Sequence, residues 1–447
     1  MSGRVIVVGA GIAGLTAAFR LQQSGYEVKV VEAEELVGGR MSTITENGYV
    51  LDRGAGTVTT RYRELLGLAS ELGVAHDLVA YGNAIGFLRD GRVHTLRSGA
   101  PWSAVTTPLL GLRSKMVAGR LFLDAGKLKR KLDYSDLSKL SGSDTETVRS
   151  YADRRLTTEL RDYLIDPTLR FLYGGELDEY ASTELFFLIL TYLGGKMMSA
   201  RGGIDFLARA LAARLDVELG NRVTSVEENR RGVTVTAVRP DSSETVHEAD
   251  ACVISLTAHQ MAAIYPQLDA ERRAIVDGLV YNDLWKIALG VDPIPDESAT
   301  FVQIPSAEDP DITGVIFEHN KALGRAPNGK GLLSAYAMPR WCHQHADDDD
   351  ERVATLIAQR LSRWVPHVED SVEFFHVTRW HPALLMARPG TWTSLARFHA
   401  LTPRSARVQF AGDYIGGTST NSALASGQRA AAIVAGRGPV SVAPKAH

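Results

Sequence analysis

Three clusters in this chain have the residue types and spacing to hold a phosphate-bearing ligand. The first is Gly9-Ala10-Gly11-Ile12-Ala13-Gly14, between the apolar run Arg4 to Val8 and a helical pattern from Leu15 to Ser24. Strand, tight turn and helix in that order aim free backbone N–H groups at an anion. Gly9 permits the turn, Gly11 lets the backbone approach a pyrophosphate, and Gly14 lets helix and strand pack closely. A second strand, Glu27 to Val31, ends at Glu32, where an acid accepts from a ribose 2′-hydroxyl and disfavours a 2′-phosphate. The second cluster, Gly38-Gly39-Arg40-Met41, adds glycine backbone and a guanidinium for more phosphate. The third is Val408-Gln409-Phe410-Ala411-Gly412-Asp413-Tyr414, followed by Ser426-Gly427 and an alanine-rich helix to Ala435.

The first cluster alone suits either NAD or FAD. With the Gly-Gly-Arg run and the Gly412-Asp413 end added, the layout resembles the flavin-containing amine oxidase and protoporphyrinogen oxidase superfamily, which includes phytoene desaturases. The resemblance covers nearly the whole length, with its specific motifs at the two ends. It implies an α/β fold, in which a Rossmann-like FAD-binding domain of the glutathione-reductase type is interleaved with an α+β substrate domain bearing a helical cap. It places FAD against Gly9, Gly11, Ile12, Ala13, Gly14, Glu32, Ala33, Gly39, Arg40, Gly56, Val223, Gly412, Asp413, Asn421 and Ser422. The helix after Asp413 would point its positive end at the flavin C2 carbonyl and stabilise charge on reduced flavin.

Three places bear on the chemistry. Lys286, in the apolar run Asp283 to Leu289, falls where many amine oxidases hold a lysine that binds water near flavin N5; the plainer reading is a snorkelling lysine at a strand edge. Trp380 and Trp392 match a segment that forms an aromatic wall beside the flavin in monoamine oxidases, with Trp392 as one of two cage aromatics. Ser419 stands in place of the second. Thr391 stands where those enzymes carry a flavin-linked cysteine, so the FAD here is expected to be noncovalent. In the protoporphyrinogen oxidase branch an arginine anchors a substrate propionate; Ile85 occupies that position, with Arg61, Arg89 and Arg97 as substitutes. His381 reads as a structural partner of Trp380.

These clusters need elements to carry them. The expected arrangement is a discontinuous FAD-binding domain from 1–80, 200–270 and 396–440, with a substrate domain from 81–199 and 271–395, helical between about 100 and 195. A net charge of −3 without a basic run argues against nucleic acid. No apolar stretch is long enough to span a bilayer, and the opening strand leaves no room for a signal peptide. A cytoplasmic protein is expected, with peripheral membrane contact through about Trp102 to Leu132 if the substrate is lipophilic. Cys252 and Cys342 fit a reduced compartment, Cys252 as a core residue, and no metal cluster is visible.

The expected function is removal of a hydride from a CH–NH or CH–CH unit of a hydrophobic small molecule, with dioxygen as acceptor. A protoporphyrinogen oxidase or phytoene-desaturase-like dehydrogenase is one alternative. A catalytically idle FAD-binding protein is the other.

Overall fold

The computed structural model describes residues 3–82, 84–97, 101–192, 195–403 and 406–436. Val5 to Val8 are apolar and almost fully buried, which suits the centre of a parallel sheet covered on both faces. Arg4–Val8 lies between Glu27–Val31 and Ala251–Ile254, with Asp216–Glu218 and Val408–Phe410 outside them. All four pairings are parallel. Cys252 is fully buried in this sheet. Helix Ile12–Gln23 begins earlier than the Leu15 expected from periodicity, because the glycine turn leads straight into it.

That helix packs against the C-terminal helix Thr420–Val434 at contact distance between backbones. A Cβ on Gly427 would stand 2.1 Å from the Ala13 carbonyl oxygen, and one on Gly14 would stand 2.0 Å from that of Gly9. Glycine at 14 and 427 therefore sets how closely the two helices and the turn can approach.

A second, seven-stranded sheet runs in the order Val372–Trp380, Leu284–Val291, Gly331–Ala337, Ile312–Phe317, Phe301–Gln303, Ala84–Arg89, Arg92–Arg97. It is antiparallel except where Phe301–Gln303 meets Ala84–Arg89. Its strands alternate as the pleat requires. Trp285, Ile287 and Leu289 pack with Leu333, Ala335 and Ala337 against helix Asp350–Leu361, while Lys286 and Tyr336, opposite each other in register, face the other side. Asp349 caps that helix by accepting from Arg352 N, so the acidic run at 347–350 marks a helix start as its sequence indicates. Helices between Pro101 and Tyr192 cover this other side, and Arg222–Glu228, Val233–Val238 and Glu244–Ala249 form a separate antiparallel sheet. The chain is thus mixed α/β. Among the described residues no helix is long and apolar enough to cross a membrane.

The glycine contact gives a direct test of the fold. Gly427→Ala forces the two helices apart and should destabilise the protein by about 1–3 kcal/mol, as overpacking does. Thermal unfolding checks it; a Tm equal to the parent's would mean that the helix pair separates without cost.

Candidate active site and cofactor cradle

A cavity of about 1670 Å³ extends from the carboxyl ends of Arg4–Val8 and Glu27–Val31 to the inner face of the seven-stranded sheet. That is where an open parallel sheet offers a crevice. At this end Gly9, with φ +97°, makes the turn that an L side chain would resist. A Cβ on Gly11 would meet nothing within 4 Å, so the space in front of it is open cavity, as a pyrophosphate needs. Ile12, Ala13, Ala33, Gly39 and Val223 also line it. Gly14 does not; its role is the close packing described above. Glu32 accepts from Ala10 N at 2.6 Å and Glu34 N at 2.9 Å. Burial raises its pKa, against those backbone donors.

The middle of the cavity joins both ends of the chain. Arg40 donates from Nη1 to Asp413 Oδ2 and to the Ala383 carbonyl, both at 2.7 Å. Asp413 also accepts from the Tyr281 hydroxyl at 3.2 Å. Gly412 and Gly56 line the same region, with Gly54 and Ala55. Trp380 lines the cavity: its Nε1 donates to the Arg53 carbonyl at 3.0 Å, with the Arg53 guanidinium 5.1 Å from its ring.

Besides Gly14, two residues expected at the cofactor lie off the cavity lining. Asn421 accepts from Leu65 N and donates to Glu64 and to the Tyr134 carbonyl, and Ser422 Oγ donates to that same carbonyl. Neither lines the cavity; Thr418, Ser419, Thr420 and Ala423 do. The helical period puts 420 and 423 on one face and turns 421 and 422 away from it. The start of this helix still faces the cavity, through neighbouring residues.

Lys286 is also placed differently from expectation. It is buried off the cavity lining, and its Nζ donates to the Asp52 carbonyl at 2.6 Å and to Glu318 Oε1 at 3.1 Å. Lys321 completes the group by donating to Glu318 at 2.8 Å, and Arg325 pairs with Asp52 at 2.8 Å. Burial alone would favour neutral forms, but the surrounding cations hold both Asp52 and Glu318 below the usual carboxylate range. A buried ammonium is tolerated only when so paired. It is Lys321, not Lys286, whose ammonium lies under Gly56, 2.8 Å from where a Cβ would stand.

Trp392 is not a pocket wall. It is buried in helix Thr391–Leu401, where its backbone N donates to Asp144 at 2.8 Å and its Nε1 to Glu184 at 2.7 Å. The positive φ of Gly390 starts a helix there, which carries the indole into the core. Burial raises the Glu184 carboxyl to about 7, against hydrogen bonds from Trp392 and Tyr173. His381 lines the cavity and is well exposed, with Nδ1 2.5 Å from Asp283 Oδ1.

The far end of the cavity is apolar, and most of its residues were not singled out from sequence. Ile85, which stands in the place of the arginine anchor, lines it, and so do Phe171, Met197, Phe301, Ile316 and Tyr336. Its polar feature is Thr168, whose hydroxyl donates to Gln303 Oε1 at 2.8 Å. These residues come from one helix and five strands. The only sequence signal was a tyrosine at 336 in a Leu- and Ala-rich strand. Of the three candidate anchors, only Arg97 lines the cavity, and a second cation in the lining is Lys115. Arg89 is paired with Glu159 at 2.7 Å.

Two outcomes test these corrections. The raised Glu184 pKa favours the protonated folded state, so its contribution is present below about pH 4.5 and is lost as pH rises towards 7. Glu184→Gln, which keeps an acceptor for Trp392, should therefore exceed the parent's stability at pH 8 by about 3 kcal/mol, with the gap closing below pH 5; denaturant titration at both pH values reads it. Lys286→Met leaves Glu318 paired with Lys321 and Asp52 with Arg325 but takes the buried donor away from Glu318 Oε1 and the Asp52 carbonyl, and should lower stability by about 1–3 kcal/mol. An unchanged Tm combined with slowed reaction with dioxygen would restore a water-holding role for this lysine.

Residues 12–435 match the family model described as flavin containing amine oxidoreductase. Coproporphyrinogen III oxidase of Bacillus subtilis (strain 168) is 24% identical over 422 residues, covering 85% of this chain and 86% of that protein. An L-amino-acid oxidase of Demansia vestigiata is 24% identical over 92% of this chain and 82% of its own length. Among solved structures, cyclohexylamine oxidase from Brevibacterium oxydans IH-35A superposes with TM-score 0.75 at 20% identity, covering 98% of this chain and 99% of that one. Putrescine oxidase bound to putrescine gives 0.76 at 20% identity, over 98% and 100%. At such identity the structural likeness speaks for the fold. The open space before Gly11, the acid at 32 and the helix start at 418–420 fit an FAD, and both cysteines are buried off the cavity lining. This chain therefore belongs to the flavin-containing amine oxidoreductase family, as an FAD-dependent oxidoreductase that holds its flavin noncovalently.

Proposed function

We propose that this enzyme oxidises a CH–NH or CH–CH unit of a hydrophobic small molecule and delivers the electrons to dioxygen. The observation that carries this reading is the apolar far end of the cavity, continuous with the dinucleotide cradle. FAD, when bound, supplies the electron sink. The turn at Gly9 and Gly11 with Glu32 would hold its adenosine diphosphate, and the Arg40–Asp413 pair with residues 418–420 its other half. Gly14, Asn421 and Ser422 would support that cradle from behind. Trp380 and Tyr336 would flank the reacting end.

The chain's own contribution is position and a dry surrounding. Phe171, Phe301 and Ile316 exclude water from the far end, and the Thr168–Gln303 pair gives it one polar handle. An amine must be unprotonated before a hydride leaves its α-carbon, and an apolar site favours that by lowering the amine pKa. Two electrons and two protons then leave the CH–NH unit, and dioxygen takes them up as hydrogen peroxide. The division into a cofactor domain (1–80, 200–270, 396–440) and a substrate domain (81–199, 271–395) follows the two larger sheets and is part of the same proposal.

A second reading is favoured by Arg97 and Lys115 at the outer end of the cavity. Two cations there suit a substrate with carboxylates, such as a porphyrinogen, and disfavour a dication.

Anaerobic stopped-flow mixing of the holoenzyme with a panel of monoamines, diamines, porphyrinogens and polyenes should bleach the flavin with an apolar monoamine or a polyene and spare it with short diamines. Bleaching by porphyrinogens alone would shift the assignment to the second reading. If no compound reduces a fully loaded flavin, the chain is a cofactor-binding protein without this activity.

A further inference from the structure

The helical cover over the cavity has an outer face that no other described residue covers. Twelve large hydrophobic residues are exposed among the described residues, and six of them, Trp102, Val105, Leu112, Met116, Phe122 and Leu123, fall within helices Pro101–Thr106 and Leu112–Leu128. At about 100° per residue, Leu112, Met116 and Leu123 lie within about 40° of one another on the second helix. Its buried residues, Ser114, Leu121 and Ala125, lie on the opposite side. The helix is thus apolar on two faces: one meets the core, and the other meets solvent, with Leu112, Met116 and Leu123 each 68–74% exposed.

Charge identifies what covers that face. Residues 101–132 carry seven Lys and Arg and one acidic residue, Asp124, in a chain whose net charge is −3. Asp124 is already paired with Lys127 and Arg155. Arg113, Arg120 and Lys127 flank the apolar stripe at about 60–100° on the same wheel, and all three are exposed. Apolar residues flanked by cations are the pattern of a helix lying in the interface of an anionic bilayer.

The same helices reach the cavity. Ser103, Val105, Lys115, Ala118 and Phe122 line its outer end, and Val105 and Phe122 are themselves exposed, so the cavity opens within the patch. We infer that this enzyme docks peripherally on an anionic phospholipid surface through Leu112, Met116, Leu123 and Trp102, with the flanking cations against headgroups, and that its cavity opens towards the lipid. Substrate delivery by this route rests on the hydrophobic substrate of the proposed function. The docking surface does not.

The test uses the full-length holoenzyme and vesicles of phosphatidylcholine with or without phosphatidylglycerol. Sedimentation should carry the protein down with the anionic vesicles, and raised salt should weaken that binding. The triple variant Leu112→Ser, Met116→Ser, Leu123→Ser touches no cavity residue; its flavin content should match the parent's while anionic-vesicle affinity falls about tenfold or more. No sedimentation of the parent with anionic vesicles, or equal binding by parent and a flavin-loaded variant, would overturn the proposal. A dimer that the same substitutions dissolve, without vesicle binding, would assign the stripe to a second copy of the chain and equally overturn it. Because binding is read without turnover, its failure leaves the flavin oxidation reading standing. The failure of every candidate substrate leaves the docking surface standing.

Discussion

The backbone contact between Gly427 and Ala13 constrains everything built around it. A Cβ at 427 would stand 2.1 Å from the Ala13 oxygen, so the first helix after the glycine turn and the last helix of the described chain touch through main chain. Residues more than four hundred positions apart meet there. The same approach brings Asp413 to Arg40 and the start of the C-terminal helix to the cavity. Close packing in a protein interior leaves no slack for even one methyl group at such a point. The cofactor cradle is therefore completed only when both ends of the chain are in place.

A second constraint ties the antiparallel sheet to that cradle. Asp52, Lys286, Glu318, Lys321 and Arg325 are all buried, and come from one strand near the N-terminus, one in the seven-stranded sheet and the segment between two others. Arg325 also donates to Ser199 Oγ and the Ala200 carbonyl. Each charge is tolerated because opposite charge is buried beside it: Glu318 has Lys286 and Lys321, and Asp52 has Arg325. The network lies beneath Gly56, so the wall of the cavity rests on ion pairs on one side and on the apolar far end on the other. Above that end, the helical cover exposes its own apolar stripe, which links the interior surface to whatever surface the protein meets.

The parts of the site legible in the sequence were those made by local chain geometry. A strand, a Gly-x-Gly-x-x-Gly turn, a helix and an acid at 32 are contiguous, and their mutual positions follow from backbone conformation. Gly412-Asp413 was legible for the same reason. Asn421 and Ser422 face away from the cavity, because a motif fixes position along the chain but the rotation of the helix is set by what it packs on. Trp392 was misplaced because a helix beginning at Thr391 turned its indole to Glu184.

The sequence by itself therefore determined the dinucleotide turn, the acid that faces it, the glycine–aspartate end and the alternation of strands with helices, since each depends on residues within a few positions of one another. The tertiary structure alone decided that Lys286 joins a buried ion network, and that Phe171, Phe301 and Tyr336 line the apolar far end of the cavity. Those outcomes depend on which side of a pleat or helix faces which neighbour, and the neighbours are supplied by segments distant in the chain.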